Sequence, residues 1–194
     1  MIEVDLDQVA IPLEWSQLFA REGPCDVEIG AGKGKFLLEL AAAHPQRNLV
    51  AVERSAKYHR LCCERAARRG ISNVRLIRTT GEDLLFRLLA ANSVDTFFVL
   101  FSDPWPKKRH HKRRFFKPEN VAALTRALVP GGHLLVKSDH DEYAAVIAEA
   151  LSGDPGLIEV DPVGAFSALP VTGFEQKYLV DGRTIHAFAL QKPG

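Results

Sequence analysis

Asp26-Val27-Glu28-Ile29-Gly30-Ala31-Gly32-Lys33-Gly34 is the stretch that decides the fold. Residues 26–29 (DVEI) pattern as a short buried strand, and glycines at 30, 32 and 34 follow it directly before a segment of helical period. Glycines so placed let the chain turn tightly and bring its backbone close to a ligand before the helix starts.

Two phosphate-binding spacings fail on this loop. A dinucleotide fingerprint, G-x-G-x-x-G, asks for glycine where Lys35 stands. A P-loop, G-x-x-x-x-G-K-[ST], asks for glycine at Ile29 and a hydroxyl at Phe36. Charge points the same way, because a carboxylate at Glu28 repels a pyrophosphate and suits a cation. S-adenosylmethionine has no phosphate and carries an ammonium and a sulfonium. Lys33 and Lys35 count against it unless they face solvent or meet the cofactor's carboxylate. Short glycine motifs also occur in turns that bind nothing. Glu53 ends the next strand about 20 residues beyond the glycines, where an acid accepts bonds from ribose hydroxyls. Its plainer role is a surface acid or one that complements a helix N-terminus. The matching adenine segment after the third strand is Thr79-Thr80-Gly81-Glu82.

Outward from the loop, residues 48–52, 74–78, 94–101 and 132–137 pattern as further buried strands. Helical patterns cover 34–43 with Pro45 as a stop, 55–69 with Ser55 as N-cap and Gly70 as C-cap, 81–91, 118–128 and 141–151. Pro130-Gly131-Gly132 punctuates the last turn before a strand. Strand alternating with helix implies a mostly parallel sheet with helices on both faces. The C-terminal third reads differently, with strands expected at 157–161, 177–180 and 184–190 and a hairpin at Asp181-Gly182. That adds an antiparallel edge. In such α/β sheets the ligand sits outside the carboxyl ends of the strands.

The 194 residues fit a single domain, 1–194, with 46% hydrophobic and 25% charged residues and a net charge of +1. Three cysteines without metal spacing read as reduced thiols. The acidic start lacks a secretory h-region, and no apolar run approaches a membrane span, so a cytoplasmic protein with no membrane partner is expected.

The most specific feature is Ser102-Asp103-Pro104-Trp105-Pro106-Lys107-Lys108-Arg109-His110-His111-Lys112-Arg113-Arg114, which leaves the sheet at the ligand edge. Two prolines around a tryptophan stiffen a loop that presents Asp103. Seven of the eleven residues from Lys107 to Lys117 are Lys or Arg, a footprint for phosphates. A basic run alone is more often a solvated loop. Its start beside the cofactor edge is what favours a nucleic-acid substrate. His110 and His111 have no carboxylate or cysteine at ligand spacing, so no metal is expected there and phosphate contact suits them better.

These motifs closely resemble the bacterial tRNA (guanine-N7)-methyltransferases, and the resemblance runs along nearly the whole chain. It takes in Trp15-x-x-Leu18-Phe19, Val27 to Gly34, Ala51-Val52-Glu53, Phe101 to Arg114, Lys137-Ser138-Asp139 and Thr172-Gly173-Phe174-Glu175-x-Lys177-Tyr178. It implies a Rossmann-like class I methyltransferase fold, S-adenosyl-L-methionine as donor and the variable-loop guanine of tRNA, position 46, as acceptor. Cofactor contacts fall on Glu28, Gly30, Gly32, Gly34, Glu53, Thr80, Gly81 and Asp103, with Asp103 also the catalytic centre. Substrate contacts fall on Lys107, Arg109, Lys112, Arg113, Arg114, Asp139, Thr172, Gly173, Phe174 and Glu175. The acid the family usually carries after the third strand is Thr80 here, so Thr80 through its hydroxyl, or Glu82, takes the adenine side. The first core strand lies close to residue 1, so a longer N-terminal extension for tRNA is expected to be absent. Monomer and homodimer both remain open.

Guanine N7 carries a free lone pair, so its methylation needs alignment rather than a base. A carboxylate at Asp103, helped by Asp139 and Glu175, suits the positive charge that develops on the ring. Trp105 either stacks on the flipped base or plugs the loop. Two alternatives stand beside this: methylation of an exocyclic amino group, and a non-catalytic RNA-binding module.

Overall fold

Alternation along the strands resolves into the two faces of one sheet. The computed structural model describes residues 2–194 and contains β1 (Cys25–Ile29), β2 (Asn48–Val52), β3 (Val74–Ile77), β4 (Val94–Leu100), β5 (Leu128–Ser138), β6 (Ile158–Glu159) and β7 (His186–Gln191). They lie in the order β3-β2-β1-β4-β5-β7-β6. β1 to β5 are parallel, while β7 runs antiparallel to β5 and β6 antiparallel to β7. Successive side chains of a strand point to opposite faces. Val27, Val50, Val52, Phe97 and Val136 therefore join one core, and Leu49, Ala51, Leu76, Phe98 and Leu135 the other.

Helices α1 (Trp15–Phe19), α2 (Lys35–Ala43), α3 (Ala56–Arg68), α4 (Gly81–Asp83), α5 (Pro118–Ala127), α6 (Asp141–Ser152), α7 (Pro162–Phe166) and α8 (Gly173–Val180) connect and cover the strands. α3 begins where Ser55 accepts from the Tyr58 N–H and ends before Gly70 at φ +63°, as the capping pattern predicts. β5 starts earlier than expected, at Leu128, and its register with β4 jumps between Leu128 and His133. Pro130-Gly131-Gly132 occupies that jump.

Three expectations are corrected. The helix expected over 81–91 is α4 followed by one wide π-helical turn, Leu84–Leu88, closed by Leu89 N–H donating to Leu84 C=O at 3.1 Å. The wider winding buries Leu84, Leu85 and Leu88 together. The strand expected at 177–180 is the C-terminal half of α8. Thr172 accepts from Glu175 N–H while the Glu175 side chain reaches back to the Thr172 N–H, a capping box that starts a helix and outweighs the strand-like composition of Lys177-Tyr178-Leu179-Val180. Asp181-Gly182 accordingly ends that helix and makes no hairpin, with Gly182 at φ +66° and Arg183 N–H donating to Tyr178 C=O.

Candidate functional site

From β1 the chain builds β2 and β3 to one side, then crosses to place β4 and β5 on the other. Loops leaving the carboxyl ends of β1 and β4 therefore part in opposite directions, and a crevice opens between them. Two adjoining lobes fill it, about 980 Å³ and 380 Å³. Gly30, Gly32, Tyr58, Leu100, Phe101 and Phe174 line both.

The three loop glycines serve different ends. Gly30 at φ +85° and Gly32 at φ +54° would each project a Cβ into open space, which here is the cleft. Gly34, at φ +72°, would drive its Cβ to 2.2 Å from Cys62 Sγ on α3, so its absence of side chain serves packing. The loop is pinned from β2: Glu53 Oε2 accepts from Gly32 N–H at 2.9 Å and its Oε1 from Ser55 N–H at 2.7 Å. Glu53 is thus a fastener for the glycine loop and an acid at the N-terminus of α3, and it lines the smaller lobe.

β1 carries two acids on one face, and their fates differ. Asp26 is buried and takes both Nε and an Nη of Arg47. Glu28, two residues on and 5% exposed, has an Oε2 with no hydrogen-bond partner. Burial first, and then the nearby Glu53 carboxylate, pushes Glu28 up to about 8. A buried acceptor aimed at a cavity and lacking a donor is the complement of a small cation. With open space at Gly30 and Gly32, these residues fit a cofactor bearing an ammonium.

Past the end of β4 the backbone turns through two strained positions, Phe101 at φ +60° and Trp105 at φ +45°. Asp103 lies between them, exposed, on the wall of the smaller lobe. The loop is braced from behind by Arg114, whose Nε donates to Pro104 C=O at 2.8 Å while both Nη atoms engage the Glu142 carboxylate. The Arg114 guanidinium also lies over the buried Tyr143 ring, 5.0 Å from its centroid. Tyr143 Oη accepts from the N–H groups of Phe115 and Phe116, fixing the far end of the basic segment to α6.

After β3, Thr80 caps α4 by accepting from Asp83 N–H at 3.1 Å. Arg87 and Thr79 bond the Asp83 side chain and hold its carboxyl below the usual range. Gly81 cannot carry a side chain, because a Cβ would meet Phe115 at 2.7 Å and Ile29 at 2.8 Å. Thr80, Gly81 and Glu82 all line the smaller lobe. Across the cleft, Phe174 stacks on Tyr178 at 5.9 Å, and Phe101 packs against both.

A family model described as "Putative methyltransferase" matches residues 22–188. The chain is similar to the tRNA (guanine-N(7)-)-methyltransferase of Mycobacterium avium (strain 104), 39% identical over 95% of this chain and 72% of that one. It is also similar to the tRNA (guanine-N(7)-)-methyltransferase of Nitrosomonas eutropha (strain DSM 101675 / C91 / Nm57), 34% identical over 93% and 82%. The chain belongs to the tRNA (guanine-N(7)-)-methyltransferase family. In fold it matches the 16S rRNA methyltransferase KamB, with TM-score 0.63, 19% identity and 93% of both chains covered. The antibiotic-resistance methyltransferase Kmr gives TM-score 0.59, with 20% identity over 100% of this chain and 99% of that one.

Against this family's motifs, the structure gathers Glu28, Gly30, Gly32, Glu53, Thr80, Gly81, Asp103, Arg113, Thr172, Gly173 and Phe174 around one cleft. Gly34 stands behind the loop. Lys107, Arg109, Lys112 and Arg113 are exposed, the last with its guanidinium 4.9 Å from the Trp105 ring centroid. Trp105 is half-buried between that cation and the edge of His110. Arg114, expected to clamp phosphate, is corrected: it is 4% exposed with its donors spent on Pro104 and Glu142, so it supports the loop. Thr172 lines the larger lobe while capping α8, and Glu175 is engaged in that cap and in an ion pair with Lys137. Asp139 accepts from Arg183 at 2.8 Å. Lys35 donates to Gln176 and Lys33 is exposed.

Sequence reasoning missed Tyr58, Arg65, Arg68 and Arg69, which also line the cleft. Tyr58, Cys62, Arg65 and Arg69 follow i, i+4, i+7, i+11, one stripe of α3 continued by its C-cap residue Arg69, and that period was the available signal. The three thiols are free, and burial raises all of them above the ordinary range, Cys62 to about 12 and Cys63 to about 11. They are packing residues. Among the described residues no group of His, Cys, Asp and Glu could hold a metal, and no helix is long and apolar enough to cross a membrane.

Proposed function

We propose that this chain transfers the methyl group of S-adenosyl-L-methionine to N7 of the variable-loop guanine of tRNA, position 46. One observation carries this. A single cleft holds an unpartnered buried carboxylate, Glu28, beside an open glycine loop, and at its wall Asp103 on a braced loop that runs into exposed cations.

When bound, the cofactor supplies a methyl group activated by its sulfonium. Glu28 would hold its ammonium, Gly30 and Gly32 leave it room, and Glu53 with Thr80 to Glu82 would face its nucleoside. Both Glu53 oxygens keep a lone pair beyond their bonds to Gly32 and Ser55 for a ribose hydroxyl. No residue need take a proton from N7. Asp103, exposed and, among the described residues, without a hydrogen bond, would accept from the guanine's N1–H and amino group. It would also stabilise the positive charge that grows on the ring. Phe174, 55% exposed, offers a stacking face for a base drawn out of its tertiary setting. Lys107, Arg109, Lys112 and Arg113 would neutralise neighbouring phosphates.

The test is transfer from labelled donor to a tRNA transcript followed by nucleoside analysis. Label in 7-methylguanosine, lost when guanine 46 is replaced by adenine, is the expected result. Label in an exocyclic methylamino nucleoside would replace this acceptor with another.

A further inference from the structure

The larger lobe of the cleft holds more positive charge than a small cofactor uses. Lys33, Lys35, Arg65, Arg68, Arg69 and Lys177 line it, against the acids Glu28 and Glu39. None of the six cations forms an ion pair among the described residues, although five Lys or Arg side chains pair with carboxylates elsewhere in the molecule. Two are held by neutral acceptors that leave the charge intact: Arg65 donates to Lys33 C=O at 2.8 Å, and Lys35 to Gln176 Oε1 at 2.6 Å. In a chain of net charge +1 this is a concentration of charge, not a general excess.

Helical geometry explains how three arginines reach one trough. Tyr58, Cys62 and Arg65 share a stripe of α3 that its C-cap residue Arg69 continues, with Arg68 beside it. Cys62 fits under Gly34, so α3 sits close against the glycine loop and its last turn flanks the same opening. A cofactor carboxylate answers one of these cations and leaves five.

We infer that this trough is a second RNA-backbone bank: Arg65, Arg68, Arg69 and Lys177 take phosphates on one side of the target base, while Lys107 to Arg113 take those on the other. A base drawn into a cleft leaves its strand running away in two directions, and each direction presents phosphates to neutralise. Arg113, at the end of the first bank, lines the smaller lobe, which shares Gly30, Gly32 and Tyr58 with the trough. This rests on the proposed tRNA reaction.

The test is tRNA binding across a salt series with Arg68→Gln/Arg69→Gln, both exposed residues, beside the control Lys57→Gln/Arg60→Gln. The control removes equal charge from the same helix at exposed positions that do not line the trough. The trough pair should weaken tRNA binding about tenfold and flatten the log–log salt slope by about 1–2, since each neutralised phosphate contributes about 0.7–0.9 between single strands and duplex. Donor affinity should be unchanged. An unchanged slope, or an equal loss in the control pair, overturns the inference. Binding is read apart from turnover, so a slope change without 7-methylguanosine would keep the trough and remove the reaction. Product formed by a trough variant of unchanged slope would do the reverse.

Discussion

Arg114 Nε donates to Pro104 C=O at 2.8 Å, tying the residue that follows Asp103 to the Glu142 carboxylate of α6 through one buried guanidinium. A side chain that sits in the basic run is thereby the strut of the loop. Arg114→Ala should cost about 1–3 kcal/mol, the range for charged hydrogen bonds, since Glu142 is half exposed and the pair is partly screened. Urea denaturation measures that. Methylation should fall while the salt slope of tRNA binding stays at the parent value. Arg114→Lys should not rescue, because an ammonium cannot span Pro104 and both Glu142 oxygens. Arg113→Gln should show the opposite pattern, with normal stability and a slope reduced by about 1.

Glu28 makes stability and donor binding depend on pH in opposite senses. Its pKa rises from 4.5 to about 8 on folding, so between those values the folded state holds the extra proton. Stability contributed by Glu28 is therefore full below about 4.5 and is lost as pH rises toward 8, by on the order of a few kcal/mol. Glu28→Gln should flatten the chemical-denaturation profile over that window. Capture of an ammonium needs the carboxylate, so binding of S-adenosylmethionine should tighten as pH rises toward 8 and release a proton below it. Calorimetry in buffers of different ionisation enthalpy reads that proton, and its absence would remove Glu28 from cofactor binding.

Gly34 and Cys62 form a coupled pair. Gly34→Ala combines a left-handed backbone cost of about 1–2 kcal/mol with a contact of 2.2 Å, for a total of about 2–4 kcal/mol. In a Cys62→Ala background the 2.2 Å contact with Sγ is relieved, leaving the backbone cost and a tight 3.3 Å approach to the Cβ of residue 62, so most of the steric part should be recovered. A double-mutant cycle in urea measures the coupling. Gly30→Ala, which meets nothing within 4 Å, should cost the backbone term alone yet weaken donor binding, because its methyl enters the cleft.

Much of the site was legible because strand, glycine loop and following helix are local patterns. Glu28, Glu53 and Asp103 sit at strand ends that periodicity locates, and β1 to β5 follow the apolar runs. What escaped depends on partners distant in sequence. Arg114 is indistinguishable from Arg113 until Glu142, 28 residues on, occupies it. The helix at 177–180 was hidden because its composition suits a strand, although Thr172 and Glu175 spelled out a capping box. The π-helical turn at Leu84–Leu88 answers to the core around it, which no local pattern contains. The arginine stripe of α3 was readable at helical spacing, but only the packing of Gly34 on Cys62 shows that it faces the cleft.

The central claim, that Asp103 is where guanine N7 accepts the methyl group, is tested most directly by the single-turnover rate of 7-methylguanosine formation in Asp103→Ala at saturating tRNA and donor. The rate should fall by about 10²–10³, the cost of removing one charge-stabilising group, with tRNA affinity unchanged. Formation of 7-methylguanosine at the parent rate would contradict it.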